Sequence, residues 1–325
     1  MPTMSNHQTF SVSADEANLR LDVFLSQELN ITRSQAQKMI DNKQLSVNDK
    51  TARKTGVMVK EGDEIKIIEI PTKEPKDSKQ NPPQASRPPA DIKIIKKTCD
   101  YLVVEKPSGL LTHSNDAKDA DSVAEILLKK YPEIKKIGDN PLRPGIVHRL
   151  DKDASGLLVV ARTQEMFDNL KTQFKTRQVN KEYLVLVHGK VIKDCDEINF
   201  PIARSQTASR MAALPPTRHG HEAPLGKAAL TEFIVEKRFA AFTLLRVKIH
   251  TGRMHQIRVH LLAYDHPVIG DPLYFQKKRK RYWDKRAGRL FLHCTKLVFK
   301  DLEGKDQPFE SPLPTELDNF LKTLS

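Results

Sequence analysis

Gly145-Ile-Val-His-Arg-Leu-Asp-Lys-Asp-Ala-Ser-Gly-Leu-Leu-Val-Val-Ala161 is the stretch on which the fold of the chain turns. Polar and ionisable residues from His148 to Asp153 lead directly into an apolar run. Leu157 to Ala161 is too short for a typical helix, is rich in β-branched residues and follows Gly156, so it reads as a buried strand. Asp151 is therefore expected on a loop braced by a core strand. Arg149 two positions before it and Lys152 beside it favour the ionised carboxylate, the form that a nucleophile or general base needs.

A chain of 325 residues leaves room for two or three domains, and 38% hydrophobic with 29% charged residues is the make-up of a soluble globular protein. Met1 to Val12 is polar where a secretion signal needs an apolar core. No long apolar run occurs elsewhere, so export and membrane insertion are not expected. Cys99, Cys195 and Cys294 are odd in number and far apart, which fits a reducing cytoplasm and no structural metal. The net charge of +13 favours a polyanionic partner such as nucleic acid. Residues 1–90 hold 13 basic and 12 acidic side chains, so nearly all the excess belongs to residues 91–325.

Residues 10–70 form a first unit. Leu21, Phe24, Leu25 and Leu29 share one helical face, Thr32 caps a second helix carrying Ala36, Met39 and Ile40, Leu45 opens a strand and turn, and Gly62 to Ile70 alternates like a closing strand. This pattern resembles the alpha-L RNA-binding domain first described in a ribosomal small-subunit protein. The resemblance puts the RNA face on the second helix and following turn, at Arg33, Lys38, Lys43, Arg53 and Lys54. Residues 71–90, with six prolines and hardly any apolar residue, read as a semi-stiff linker.

Residues 91–325 read as a second domain. Tyr101 to Glu105 is a strand with Lys106 and His113 just beyond it, Ser122 caps a helix through Tyr131, and Thr163 caps another with Met166, Phe167, Leu170 and Phe174 at helical spacing. Lys181 to Val187, Ala228 to Glu236 and Phe242 to His250 are strands. His255 to Leu262 is a helix with Arg258 able to face a cleft. Strand-rich runs with helices between them, and strand connections often too short for helical crossovers, predict an α+β fold with a largely antiparallel mixed sheet.

Three rival chemistries are weaker. Asp151, Asp153, Ser155 and Gly156 match the start of a calcium loop, but its twelfth position, a bidentate Glu, is Arg162 here. His250, His255 and His260 recur every fifth residue, which turns them to different faces of a helix or strand and away from one metal. A serine hydrolase using Ser155 or Ser108 lacks the Gly-x-Ser-x-Gly elbow. The run Lys277-Lys-Arg-Lys-Arg281, followed by Tyr282 and Trp283, suits RNA backbone and bases or a solvated loop equally.

His148-Arg-Leu-Asp-Lys-Asp-Ala-Ser-Gly-Leu-Leu158 resembles the signature of the RluA family of RNA pseudouridine synthases. Tyr101 to Gly109, Lys181-Glu-Tyr183 and Thr251-Gly-Arg-Met-His-Gln-Ile-Arg258 agree in order. With the N-terminal alpha-L domain, the pattern is most similar to the RluD branch, which modifies large-subunit ribosomal RNA. Ala154 and Met254 replace the more usual threonines, and neither change removes an ionisable group. The resemblance implies isomerisation of uridine to pseudouridine without cofactor or metal. Asp151 would be the nucleophile, or the base that removes a ribose proton. Arg258 would pair with it, Tyr183 would stack on the uracil, and Arg149 would fill the space left by the flipped nucleotide. Arg253 and His255 would hold phosphate or ribose. The expectation is a cytoplasmic monomer acting on RNA. The alternative is a non-catalytic RNA-binding or ribosome-assembly factor that keeps the fold, for which a carboxylate set among RNA phosphates has no use.

Overall fold

The computed structural model of the chain describes residues 9–29, 31, 33–42, 44–52, 57–67, 92–114, 122–205, 210–215, 226–276 and 282–324, with the backbone alone at Arg33, Ser34 and Lys38. The chain divides into two compact units, Met1–Ser86 and Arg87–Ser325.

In the first unit, β1 (Thr9–Ser11), α1 (Leu21–Glu28), α2 (Arg33–Asp41), β2 (Leu45–Val47), β3 (Lys50–Thr51) and β4 (Glu64–Ile67) follow one another. The strands form an antiparallel sheet in the order β1-β4-β2-β3. Leu21, Phe24 and Leu25 of α1 and Ala36 and Ile40 of α2 are buried together with Leu45 and Ile65 of the sheet, as their spacing predicts. Asn48 and Asp49, both with positive φ, make the two-residue turn between β2 and β3, the conformation whose twist suits a tight hairpin. Thr32, Lys43, Arg53, Lys54, the side chains of Arg33 and Lys38, and the proline-rich stretch 71–90 lie outside the described residues.

The second unit runs β5 (Lys93–Lys97), β6 (Tyr101–Lys106), α3 (Val123–Lys130), β7 (Ser155–Ala161), α4 (Gln164–Lys175), β8 (Asn180–His188), β9 (Cys195–Ile198), β10 (Ile202–Arg204), β11 (Met211–Ala213), β12 (Thr231–Arg238), β13 (Phe242–Ile249), α5 (Gln256–Ala263), α6 (Tyr282–Ala287), β14 (Leu292–Lys300), β15 (Asp306–Glu310) and α7 (Thr315–Lys322). The main sheet has the order β5-β6-β7-β14-β8-β13-β12-β9, with β15 also on β14. Among the described residues its pairings are antiparallel except β7 with β14. This is the α+β architecture with a largely antiparallel mixed sheet that the strand spacing predicts.

All seven residues of β7 are buried, which is why this strand is a continuous apolar run without polar alternation. Its entry depends on Gly156. With φ at +117, a side chain there would be strained, and a Cβ would run into the Cys294 backbone of β14. α4 starts at Thr163, whose hydroxyl accepts from the Met166 N–H, and α3 starts at a reciprocal Ser122–Glu125 capping box.

Candidate active site

Asp151 sits on the loop before β7, at the wall of a cleft of about 610 Å³ that β8, β13, α5 and the 148–154 loop line together. Arg258 Nη1 donates to Asp151 Oδ2 at 3.0 Å. The far side of the same guanidinium is held by Asp271, with Nε to Oδ2 at 2.7 Å and Nη2 to Oδ1 at 2.8 Å. The burial gradient is informative: Asp271 is 0%, Arg258 2% and Asp151 16% exposed. Asp271 is thus the fixed counter-ion, and Asp151 is the end of the chain of charges that meets the cleft. Burial opposes the charge on Arg258, but the hydrogen bonds and charges of Asp271 and Asp151 outweigh it and hold the guanidinium above its ordinary value. Arg149 and Lys152, the sequence neighbours expected to favour the carboxylate, are exposed, and neither reaches ion-pair distance of it. The cation beside Asp151 comes instead from 107 positions along the chain.

The loop carrying Asp151 is gripped on both flanks. Lys106 is the last residue of β6, not a residue beyond it, and is fully buried. Its three ammonium hydrogens meet three carbonyls, those of Pro107, Leu110 and Lys152, at 2.7 to 2.9 Å. Burial pushes this amine down to about 7, while the three acceptors match its protonated form. Ser108 donates to the Asp153 carbonyl, Thr112 exchanges two hydrogen bonds with the backbone of Leu150, and His148 Nε2 accepts the Val159 N–H of β7 at 3.1 Å. Burial holds His148 down to about 3, so this acceptor stays unprotonated.

Tyr183 on β8 lines the cleft beside Asp151. Burial raises its phenol well above the ordinary value, so the ring enters any encounter with substrate as a neutral phenol. Arg253 and His255 stand on the turn between β13 and α5. Gln256 closes this turn, accepting from Thr251 and the Arg253 N–H while donating to the Leu230 carbonyl and Thr231. His255 has a left-handed backbone, φ 57; its Nδ1 lies 2.7 Å from the Tyr274 hydroxyl and its Nε2 4.0 Å from Asp151 Oδ1. Burial lowers its affinity for a proton although Asp151 opposes this. The exposed Arg149 and the half-buried Arg253 also line the cleft, so the structure brings together the six residues expected at the uridine, while the side chains of the five expected on the RNA face of the first unit lie outside the described residues. The three evenly spaced histidines go separate ways: His250 faces Glu232, His255 faces the cleft, and His260 bridges Thr231 and the Phe200 carbonyl.

A profile of the family described as RNA pseudouridylate synthase matches residues 100–263, and one described as S4 domain matches residues 19–65. An uncharacterized RNA pseudouridine synthase of Aquifex aeolicus is 39% identical over 82% of this chain and 79% of its own length. The ribosomal large subunit pseudouridine synthase D of Nitrosomonas europaea is 34% identical over 99% of this chain and 90% of its own. The chain belongs to the RluA family of RNA pseudouridine synthases. Its likeness over nearly the full length to synthase D proteins puts it in the RluD branch. Among solved structures, human RNA pseudouridylate synthase domain containing 1 is similar with a TM-score of 0.57 at 26% identity, over 71% of this chain and 87% of that one.

One group of this synthase escapes a reading of the sequence. Asp271, which fixes Arg258 and also accepts the Leu273 and Tyr274 N–H groups, sits in Gly-Asp-Pro, a loop signal with no periodicity to mark its burial. Ser155, considered as a nucleophile, does meet a histidine, His293 Nδ1 at 2.9 Å, and accepts from Arg289 Nη2 at 2.6 Å. It is buried at the β7–β14 contact and is not part of the cleft wall, so the pair ties strands together and offers no nucleophile to a substrate.

Proposed function

We propose that this pseudouridine synthase acts on uridines of large-subunit ribosomal RNA in the cytoplasm, as a monomer, with Asp151 as the reacting carboxylate. The observation that carries the role of Asp151 is its position at the open end of the Asp151–Arg258–Asp271 chain, where one oxygen is hydrogen-bonded and the carboxylate faces the cleft. A carboxylate so held is ready to attack or to take a proton without first reorganising.

Uracil within stacked RNA is out of reach, so the nucleotide must swing out. Tyr183 offers a neutral ring for the uracil to stack on. Arg149, exposed at the rim, is the residue to enter the vacated stack. Arg253 and His255 hold the sugar-phosphate next to it, and the basic residues of the first unit, Arg33, Lys38, Lys43, Arg53 and Lys54, hold more distant RNA. No external oxidant or reductant is called for, because the formal reduction at C1′ and oxidation at C5 cancel within the nucleotide, in keeping with a reaction that needs no redox cofactor. A non-catalytic binder has no use for an ion chain that ends on a carboxylate facing the substrate cleft. Asp151→Asn, nearly isosteric, is the test: in single-turnover assays on unmodified large-subunit ribosomal RNA it is expected to abolish conversion and leave binding intact. Conversion at the wild-type rate would remove Asp151 from the chemistry.

A further inference from the structure

Lys181 lies two residues before Tyr183 on β8. Residues i and i+2 of a strand share a face, and both side chains line the cleft with Asp151. Among the described residues Lys181 has no carboxylate partner. Its neighbours are the Phe174 ring, 5.1 Å from Nζ to the centroid, His148 stacked on that ring at 4.6 Å, and the Cys294 thiol. All are uncharged: burial keeps His148 neutral and pushes Cys294 up to about 12. The other cations at the cleft are differently placed, since Arg258 already has two carboxylates, the half-buried Arg253 donates to the Ala228 carbonyl, and Arg143, Arg149, Lys175 and Arg177 face water. An amine that gives up solvent without gaining a counter-ion costs free energy, and burial lowers the hold of Lys181 on its proton.

We propose that Lys181 is the counter-charge for the uracil ring during isomerisation, contacting the base that stacks on Tyr183; this rests on the reading of the cleft as the isomerase site. If the carboxylate attacks the ribose, or removes a ribose proton, the C1′–N1 bond breaks and its electron pair leaves with the uracil, which becomes an anion shared between N1 and the ring oxygens. If the carboxylate adds to the ring, the displaced pair again ends on a ring oxygen. In the ring-adduct route the C1′–N1 bond breaks as well. As the new C5–C1′ bond forms, the carboxylate is released from C1′ or from the ring, or gives the ribose back its proton; C5 then gives up its proton while N1 gains one, so the ring is neutral at the end. In each route negative charge exists on uracil only between substrate and product. A cation with no resident partner favours that interval over either end state, which is the requirement for catalysis.

The test compares wild type with Lys181→Met, Lys181→Arg and Asp151→Asn on the same unmodified ribosomal RNA, measuring RNA affinity and single-turnover rate. Lys181→Met is expected to slow conversion by about 100-fold, with affinity changed by less than about 3-fold, and Lys181→Arg to recover part of the rate. Wild-type conversion is expected to fall on the alkaline side as the ammonium loses its proton, and that fall to move to higher pH in Lys181→Arg. Wild-type rates in Lys181→Met, or a rate loss matched by lost affinity, would overturn the assignment. So would an alkaline fall unchanged in Lys181→Arg, which keeps the idea open to refutation should the methionine variant fail to fold. Inactive Asp151→Asn beside active Lys181→Met would sink the lysine alone. Absence of conversion by the wild type would sink the isomerase reading itself.

Discussion

At the residue scale, Asp271 fixes the guanidinium that holds Asp151, the carboxylate proposed to react, although Asp271 itself does not line the cleft. Removing its charge leaves Arg258 buried with only Asp151 to balance it, so Asp271→Asn is expected to cost about 3 to 5 kcal/mol in urea unfolding, beyond its effect on conversion. His148 and His293 make stability depend on pH. Both are neutral when folded, held down to about 3 and about 4 by burial, against an ordinary value of 6.5. As pH falls below that value the unfolded chain takes up these protons first, so stability is complete above about 6.5 and declines toward pH 4. Urea midpoints measured from pH 7 to pH 4 should show this decline, and His293→Asn should flatten it. The residues proposed to act on the substrate were legible because Asp151, Tyr183 and Arg258 lie in motifs with recognisable spacing, and the structure places them on one cleft. Asp271 and the grip of Lys106 were not, because a buried charge in a loop or at the end of a strand looks like any solvated one until its partner is known.

At the element scale, the helices and strands follow from periodicity and caps, and their order in the sheet does not. Thr163 and Ser122 were readable as N-caps, and each is expected to cost about 1 kcal/mol as alanine, measurable by chemical denaturation. The parallel seam of β7 with β14 was invisible, because Gly156 meets Cys294 from the far end of the chain and neither strand advertises its neighbour. Gly156→Ala reads out that seam. The backbone there is left-handed and the added methyl meets the Cys294 backbone, so the variant is expected to lose several kcal/mol or to fail to fold, visible in its melting curve and soluble yield.

At the scale of the whole molecule, the charge excess lies almost entirely in residues 91–325, so that part should carry most of the electrostatic affinity for RNA. Removal of residues 1–90 is expected to weaken RNA binding while leaving a folded, cooperatively melting remainder, and the slope of log affinity against log salt should stay steep. The position of β14 bears on when activity begins. This strand sits in the middle of the sheet, between β7 and β8, yet comes almost last in chain order. During synthesis the Asp151 loop and its hairpin neighbours leave the ribosome long before the strand that joins them: Ser155 waits 138 residues for His293. A nascent chain therefore carries the carboxylate proposed to react through well over a hundred residues of elongation without the sheet that aims it, and an RNA-modifying centre assembles only when translation is nearly over.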